Sequence, residues 1–241
     1  MLYDGKDGEF DIKLFQNPTA QYRAAPFWSW NCKLDKNLLT EQIEILKEMG
    51  FGGFNMHSRS GMATKYLGDE FMQRIEDCCR KAESENMLAW LYDEDRWPSG
   101  LAGGYVTEDK RYRQRVLCFS KKAAKFMPKA DALKNGGAYL LAVYDIELDK
   151  NGFLKSYRTI GESDCALGIK RYAYVKPADE HTMFNGQTYL DTLSKDAVKK
   201  FIEVTHEKYK EKIGKYFGKT VPAIFTDEPQ FAFIQNLPSS D

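Results

Sequence analysis

The strongest constraint on how this chain can fold is an alternation. Short apolar runs that end in polar residues are separated by stretches of helical periodicity. The first run, Ala25 to Trp30, is aromatic and reads as a strand ending at Asn31. Asp35 follows as a helix cap, because its carboxylate can accept from free backbone N–H groups. Leu38, Leu39, Ile43, Leu46 and Met49 then recur at three- and four-residue spacing, which gives one apolar helix face ended by Gly50. Gly52 to His57 reads as a second strand. A second helix starts at Asp69, with Phe71, Met72, Ile75, Cys78, Cys79 and Ala82 on its inner face. Leu88 to Tyr92 is a third strand, running into Asp93, Glu94 and Asp95. Strand–helix units of about 30 residues imply parallel strands joined by helical crossovers.

The rhythm changes from residue 110 to residue 188. Val116 to Phe119 and Ala138 to Tyr144 look like strands, no long amphipathic helix is evident, and Asn151-Gly152 has hairpin-turn composition. A second Asn-Gly pair stands at 185–186. This segment reads as an inserted antiparallel β subdomain. The α/β pattern resumes with Tyr189 to Leu193 as a short strand. A long helix then carries Val198, Phe201, Ile202, Thr205, Tyr209, Ile213 and Tyr216 on one face, and Val221 to Phe225 forms a last strand. The expected fold is therefore α/β, with about five parallel strands and an inserted antiparallel β subdomain; the family resemblance given below implies that these are the first strands of a partial (β/α)₈ TIM-type barrel. The expected divisions are a lead-in over 1–24, the first barrel units over 25–109, the insertion over 110–188 and the barrel continuation over 189–241. The 241 residues fall slightly short of the ~250 of a complete barrel, and the insertion and lead-in leave room for only part of one.

Charge and cysteines narrow the function. With 35 basic and 35 acidic side chains, the chain has no cationic excess to neutralise a phosphate backbone, so nucleic acid is not an expected partner. No apolar run reaches membrane-spanning length and no export signal precedes the first strand, so neither a membrane partner nor export is expected. Five cysteines at irregular spacing fit reduced thiols better than a disulfide framework, and a cytoplasmic location is expected. Three histidines without CxxC or HExxH spacing give no zinc motif, and no metal ligands are assigned.

In parallel α/β folds, ligands bind beyond the carboxyl ends of the strands. Each strand here ends in chemically capable residues: Trp30 and Asn31, His57 and Arg59, then Asp93, Glu94, Asp95 and Trp97, then Asp191, and finally Asp227 and Glu228. Each has a plain structural alternative. Strand-end carboxylates cap helices, aromatics fill cores, and His57 can be a satisfied structural histidine. Together they combine carboxylates with aromatic faces, a mixture suited to an oligosaccharide or glycoside substrate. Glycoside hydrolysis needs two carboxyl groups in different protonation states. Glu228 is the first catalytic candidate, since partial burial at the end of an apolar strand raises a carboxyl pKa. Glu94 is the second. Trp30, Asn31, His57, Arg59, Asp93, Asp95, Trp97, Asp191 and Asp227 are candidate substrate contacts.

The strings Pro26-Phe-Trp-Ser-Trp-Asn31, Gly50-Phe-Gly-Gly-Phe54, Met56-His-Ser-Arg59, Tyr92-Asp-Glu-Asp-Arg-Trp-Pro-Ser-Gly100, Ala102-Gly-Gly104 and Phe225-Thr-Asp-Glu-Pro229 resemble the catalytic domain of large bacterial glycoside hydrolases. They are similar to the α-L-rhamnosidase group called glycoside hydrolase family 106. The resemblance runs from about residue 25 to residue 232. It implies a (β/α)₈ barrel, catalytic glutamates with Glu228 among them, an inverting mechanism and a calcium ion near the site. It also implies that the remainder of the barrel is missing from this chain. An open half-barrel exposes strand edges, so the 241-residue polypeptide alone is expected to be inactive or to need a partner. Two other classes compete. One is a non-catalytic carbohydrate-binding fragment that stacks sugars on Trp28, Trp30 and Trp97. The other is a barrel-fold, metal-assisted sugar isomerase or lyase that uses His57, Asp93 and Glu94.

Overall fold

The alternation is realised as parallel pairing in the computed structural model, which describes residues 10–230. In chain order the elements are α1 (Ile12–Gln16), β1 (Phe27–Trp30), α2 (Lys36–Glu48), β2 (Gly53–Ser58), α3 (Asp69–Ser84), β3 (Leu88–Tyr92), β4 (Arg115–Ser120), α4 (Lys129–Asn135), β5 (Tyr139–Leu148), β6 (Leu154–Ile160), β7 (Ile169–Pro177), α5 (Lys195–Ile202), α6 (Lys208–Ile213) and β8 (Ile224–Phe225). They form two compact units. One comprises 10–103 with 200–229; the other comprises 104–199 with Gln230.

The first unit holds a parallel sheet in the order β1-β2-β3-β8. The caps behave as the sequence suggests. Asp35 accepts from Asn37 and Leu38 N–H at the start of α2, and Gly50 adopts a left-handed φ of 89° after its end. Gly53 is required for close pairing, since a Cβ there would lie 2.3 Å from the Leu88 carbonyl oxygen. Strand periodicity sorts the side chains into two faces. Trp28, Trp30, Phe54 and Met56 point to the helix layer, where Trp30 meets Phe71 of α3 edge-on at 5.8 Å. Phe27, His57, Tyr92 and Phe225 line the opposite face, one ring from each strand. Core residues Ile43, Phe71, Ile75, Leu91 and Ile213 are buried between sheet and helices. Lys212 and Lys215 tie α6 and its end to Glu76 of α3.

The α/β class holds, with one parallel and one antiparallel sheet; among the described residues the parallel sheet has four strands and is not closed. Tyr189 to Leu193 is not a strand of it. Leu190 makes a single antiparallel bridge to Arg113 within the second unit. The chain then turns, because Asp191 accepts from Leu193 N–H through its side chain and from Ser194 N–H through its carbonyl. The last strand is also shorter than 221–225: Pro222 has no N–H to pair, and Val221 N–H goes to the Tyr216 carbonyl. The long helix expected to reach Tyr216 is interrupted by a π-helical turn over Glu203–Glu207.

The second unit is an antiparallel sheet in the order β4-β7-β5-β6. Asn151-Gly152 lies in the β5–β6 hairpin as expected, where Asp149 accepts from Asn151 and Phe153 N–H. Helix α4 is an element the sequence pattern missed; it is seven residues long and ends at left-handed Gly136. Among the described residues, no helix is long and apolar enough to cross a membrane.

Candidate functional site

The carboxyl end of the parallel sheet is organised by a buried network around Asp93, the first residue after β3. Asp93 is fully buried. Its Oδ1 accepts from the Ser99 hydroxyl at 2.6 Å, and its Oδ2 accepts from the Thr226 hydroxyl at 2.6 Å. The Ser99 hydroxyl also accepts from Asp227 N–H at 2.9 Å, and Ser99 N–H donates to the Asp227 carbonyl at 2.9 Å. These bonds clamp the segment after β8 onto the loop after β3. Burial pushes the Asp93 carboxyl up, while the Ser99 and Thr226 hydroxyls and the charge of His206 pull it down. His206 Nε2 stands 3.9 Å from Asp93 Oδ2. His206 carries no local sign of this role, because it lies within a stretch that reads as plain helix.

The clamp presents Glu228. Its backbone has φ of 43°, a left-handed conformation that costs a non-glycine residue about 1–3 kcal/mol and persists only where the surroundings impose it. Its Oε2 accepts from the Trp97 indole N–H at 3.0 Å. Glu228 was expected to be partly buried; it is exposed, while Asp227 is half-buried. Trp97 is half-buried, so its indole can contact both Glu228 and a ligand.

Glu94 has a different position from the one expected of a second catalytic carboxyl. It is fully buried, and both oxygens are occupied by backbone donors. Oε2 accepts from Gly100, Leu101 and Ala102 N–H at 3.0, 2.9 and 2.6 Å. Oε1 accepts from Asp95 N–H at 3.0 Å and from Gly103 N–H. Ala102 and Gly103 both have positive φ (52° and 65°), which turns successive N–H groups inward as an anion-binding nest. Burial pushes this carboxyl up, against the opposing pull of the backbone N–H groups. Its geometry is that of the keystone of the 100–103 loop.

His57 is likewise enclosed. Its ring stacks on Tyr92 at 4.0 Å with Phe27 edge-on at 4.9 Å, and Nδ1 lies 3.2 Å from the Ser58 carbonyl. Burial lowers its pKa, opposed by the Ser58 contact; Arg59 lowers it further and Asp227 raises it. Trp30 is 2% exposed and faces α3, so its ring belongs to the core. Trp28 also faces the helix layer and donates its indole N–H to Gln42. Of the three tryptophans considered as sugar platforms, Trp97 alone stands beside the site. Asn31 and Arg59 are exposed at their strand ends. Asp95 pairs with Arg96 at 2.9 Å. Asp191 belongs to the second unit.

Among the described residues, no group of three or more His, Cys, Asp or Glu side chains is disposed to hold a metal ion. Asp93 and Glu94 do not fit the calcium ion implied by resemblance: both Asp93 oxygens face hydroxyl groups and both Glu94 oxygens face N–H groups.

No family model matches the chain, and no curated protein matches it. Among solved structures, the rhamnosidase from Novosphingobium sp. PP1Y matches with a TM-score of 0.39 and 16% sequence identity, over 60% of this chain. The chain spans 17% of the length of that structure.

Proposed function

We propose that this chain carries part of a glycoside hydrolase active site, with Glu228 as a catalytic carboxylate. The observation that carries this reading is the presentation of Glu228. An exposed carboxylate is held beyond the carboxyl ends of parallel strands, in a strained backbone conformation, by an indole N–H and a buried clamp. A carboxylate that accepts an N–H bond is arranged as a proton acceptor. Glu228 is therefore assigned the general base, taking a proton from the attacking water in an inverting reaction. Trp97 holds that carboxylate, and its indole face meets the sugar. Asp93, Ser99 and Thr226 position it. The acid that protonates the leaving group stands about 6.5–9.5 Å away in such a mechanism. Asp93 and Glu94 are fully buried and do not supply it. The motif strings at Tyr92–Gly100 and Phe225–Pro229 favour an α-L-rhamnoside as the substrate.

A second reading is glycan binding without hydrolysis, favoured because, among the described residues of this cluster, Glu228 is the one exposed carboxylate where hydrolysis needs two. A substitution of Glu228 by Gln in the full-length protein separates the two. Hydrolysis of aryl α-L-rhamnoside falls by about 10³-fold if Glu228 is a catalytic base, whereas sugar binding without any turnover in the wild type supports the second reading.

A further inference from the structure

One histidine of the first unit is held at both ring nitrogens, and its proton placement follows from its partners. The π-helical turn over Glu203–Glu207 puts His206 beside the buried Asp93; such turns are rare and recur at functional sites. Tyr209, in the next turn, donates its hydroxyl to the Tyr92 carbonyl at 3.0 Å, which fixes the helix against the end of β3. The Phe201 ring stands edge-on to the imidazole at 5.8 Å. Thr205 is fully buried, and its hydroxyl donates to the Phe201 carbonyl at 2.7 Å. A hydroxyl has one hydrogen to give. The 2.8 Å contact between Thr205 Oγ1 and His206 Nδ1 is therefore a bond in which Nδ1–H donates. That leaves Nε2, 3.9 Å from Asp93 Oδ2, as the nitrogen that gains or loses a proton.

Asp93 calls for a positive charge at that place. Ser99 donates to its Oδ1 and Thr226 to its Oδ2, and the Ser99 oxygen itself accepts from Asp227 N–H. With a hydroxyl donor on each oxygen, the arrangement fits the ionised carboxylate. A fully buried carboxylate is costly unless it is paired. Tyr66, Tyr92 and Tyr209 face it and are kept neutral, because burial pushes all three up. Glu94, Asp95 and Asp227 around the same rings are acids. Among the described residues, the ion pair that Asp93 makes is the one with His206.

We infer that His206 is a positioning residue of the site: its imidazolium is the counter-charge of Asp93, and the charged pair holds the clamp that presents Glu228. Protonated at both nitrogens, the ring donates to Thr205 and turns Nε2–H toward Asp93. When pH rises and Nε2 loses its proton, a lone pair faces the carboxylate, the attraction is lost and the clamp loosens. The consequence for turnover rests on the hydrolase reading; the pair and its grip on Asp227 do not.

The test is nuclear magnetic resonance on the isotope-labelled whole chain between about pH 5 and pH 9. The neutral His206 ring is expected as the Nδ1–H tautomer. Protection of the Asp227 amide from hydrogen exchange, corrected for its intrinsic rate, is expected to fall about tenfold as that ring deprotonates. In His206→Gln, at a side chain 32% exposed, the same protection is expected to be low and to lose this pH dependence. The Asp93 carboxyl of that variant is expected to titrate about one pH unit higher, a tenfold change in proton affinity. A neutral ring in the Nε2–H tautomer, or Asp227 protection that does not change as the ring titrates, overturns the inference on the wild type alone. An Asp93 titration unmoved in His206→Gln also overturns it. Turnover of an aryl α-L-rhamnoside separates the two readings. A kcat that falls as His206 deprotonates, with that limb lost in His206→Gln, supports both. No turnover by the wild type defeats the hydrolase reading, and the tautomer and the Asp227 protection still decide this one.

Discussion

Substitution of Glu94 by Gln separates a loop keystone from a catalytic acid. In the native loop three N–H groups converge on Oε2 and two on Oε1. A glutamine keeps one oxygen, which is best placed against the three donors. Its NH₂ group then faces Asp95 and Gly103 N–H, donor against donor. Each buried N–H left without an acceptor costs about 1–3 kcal/mol, so two cost about 2–6 kcal/mol. The expected loss is about 3 kcal/mol. Urea denaturation at neutral pH, followed by circular dichroism, measures it. Faster hydrogen exchange at the Ala102 and Gly103 amides is the local signature. A variant within about 0.5 kcal/mol of wild type would refute the keystone role, because a carboxyl that waits for substrate tolerates the isosteric amide.

Other outcomes follow from the same geometry. Ser99→Ala removes a donor from Asp93 and an acceptor from Asp227 N–H; a loss of about 2 kcal/mol in denaturation is expected, with activity falling further than stability explains. Trp97→Phe keeps a ring but removes the N–H on Glu228, so kcat/KM of a glycoside is expected to fall about tenfold with stability changed by less than about 1 kcal/mol. His57 carries a pH dependence. Its folded pKa is depressed by burial, so below about 6.5 the unfolded chain binds a proton that the folded chain resists. Its contribution to stability is present above that value and is lost as pH falls through the folded pKa. Denaturation of His57→Phe is expected to show a shallower decline than wild type between about pH 7 and pH 5.

The first three strands were legible because each is an uninterrupted apolar or aromatic run bounded by turn residues, with capped helices between them. The fate of Trp28 and Trp30 was also in the pattern: alternation places them opposite Phe27 and Ser29, on the face that apolar α2 and α3 must cover. Tyr189 to Leu193 misled because apolar content alone does not distinguish a strand from a buried turn, and Asp191 is a strong turn former. The role of Glu94 was not readable. It depends on a loop six to nine residues further on curling back through left-handed backbone, a long-range arrangement with only Gly100 and Gly103 as its trace. The clamp from Asp93 through Ser99 to Asp227 joins residues more than 100 positions apart, and a single sequence carries no record of that pairing. The clue that was legible is local: Glu228 and Pro229 directly after a short apolar strand.

The measurement that bears most directly on the proposed role of Glu228 is the rate of 4-nitrophenyl α-L-rhamnopyranoside hydrolysis by the full-length protein, wild type beside Glu228→Gln. Measurable release of nitrophenol by the wild type, and a fall of about 10³-fold in the variant with its fold intact, is the predicted result. Equal rates in the two proteins, or no hydrolysis by the wild type, would contradict it.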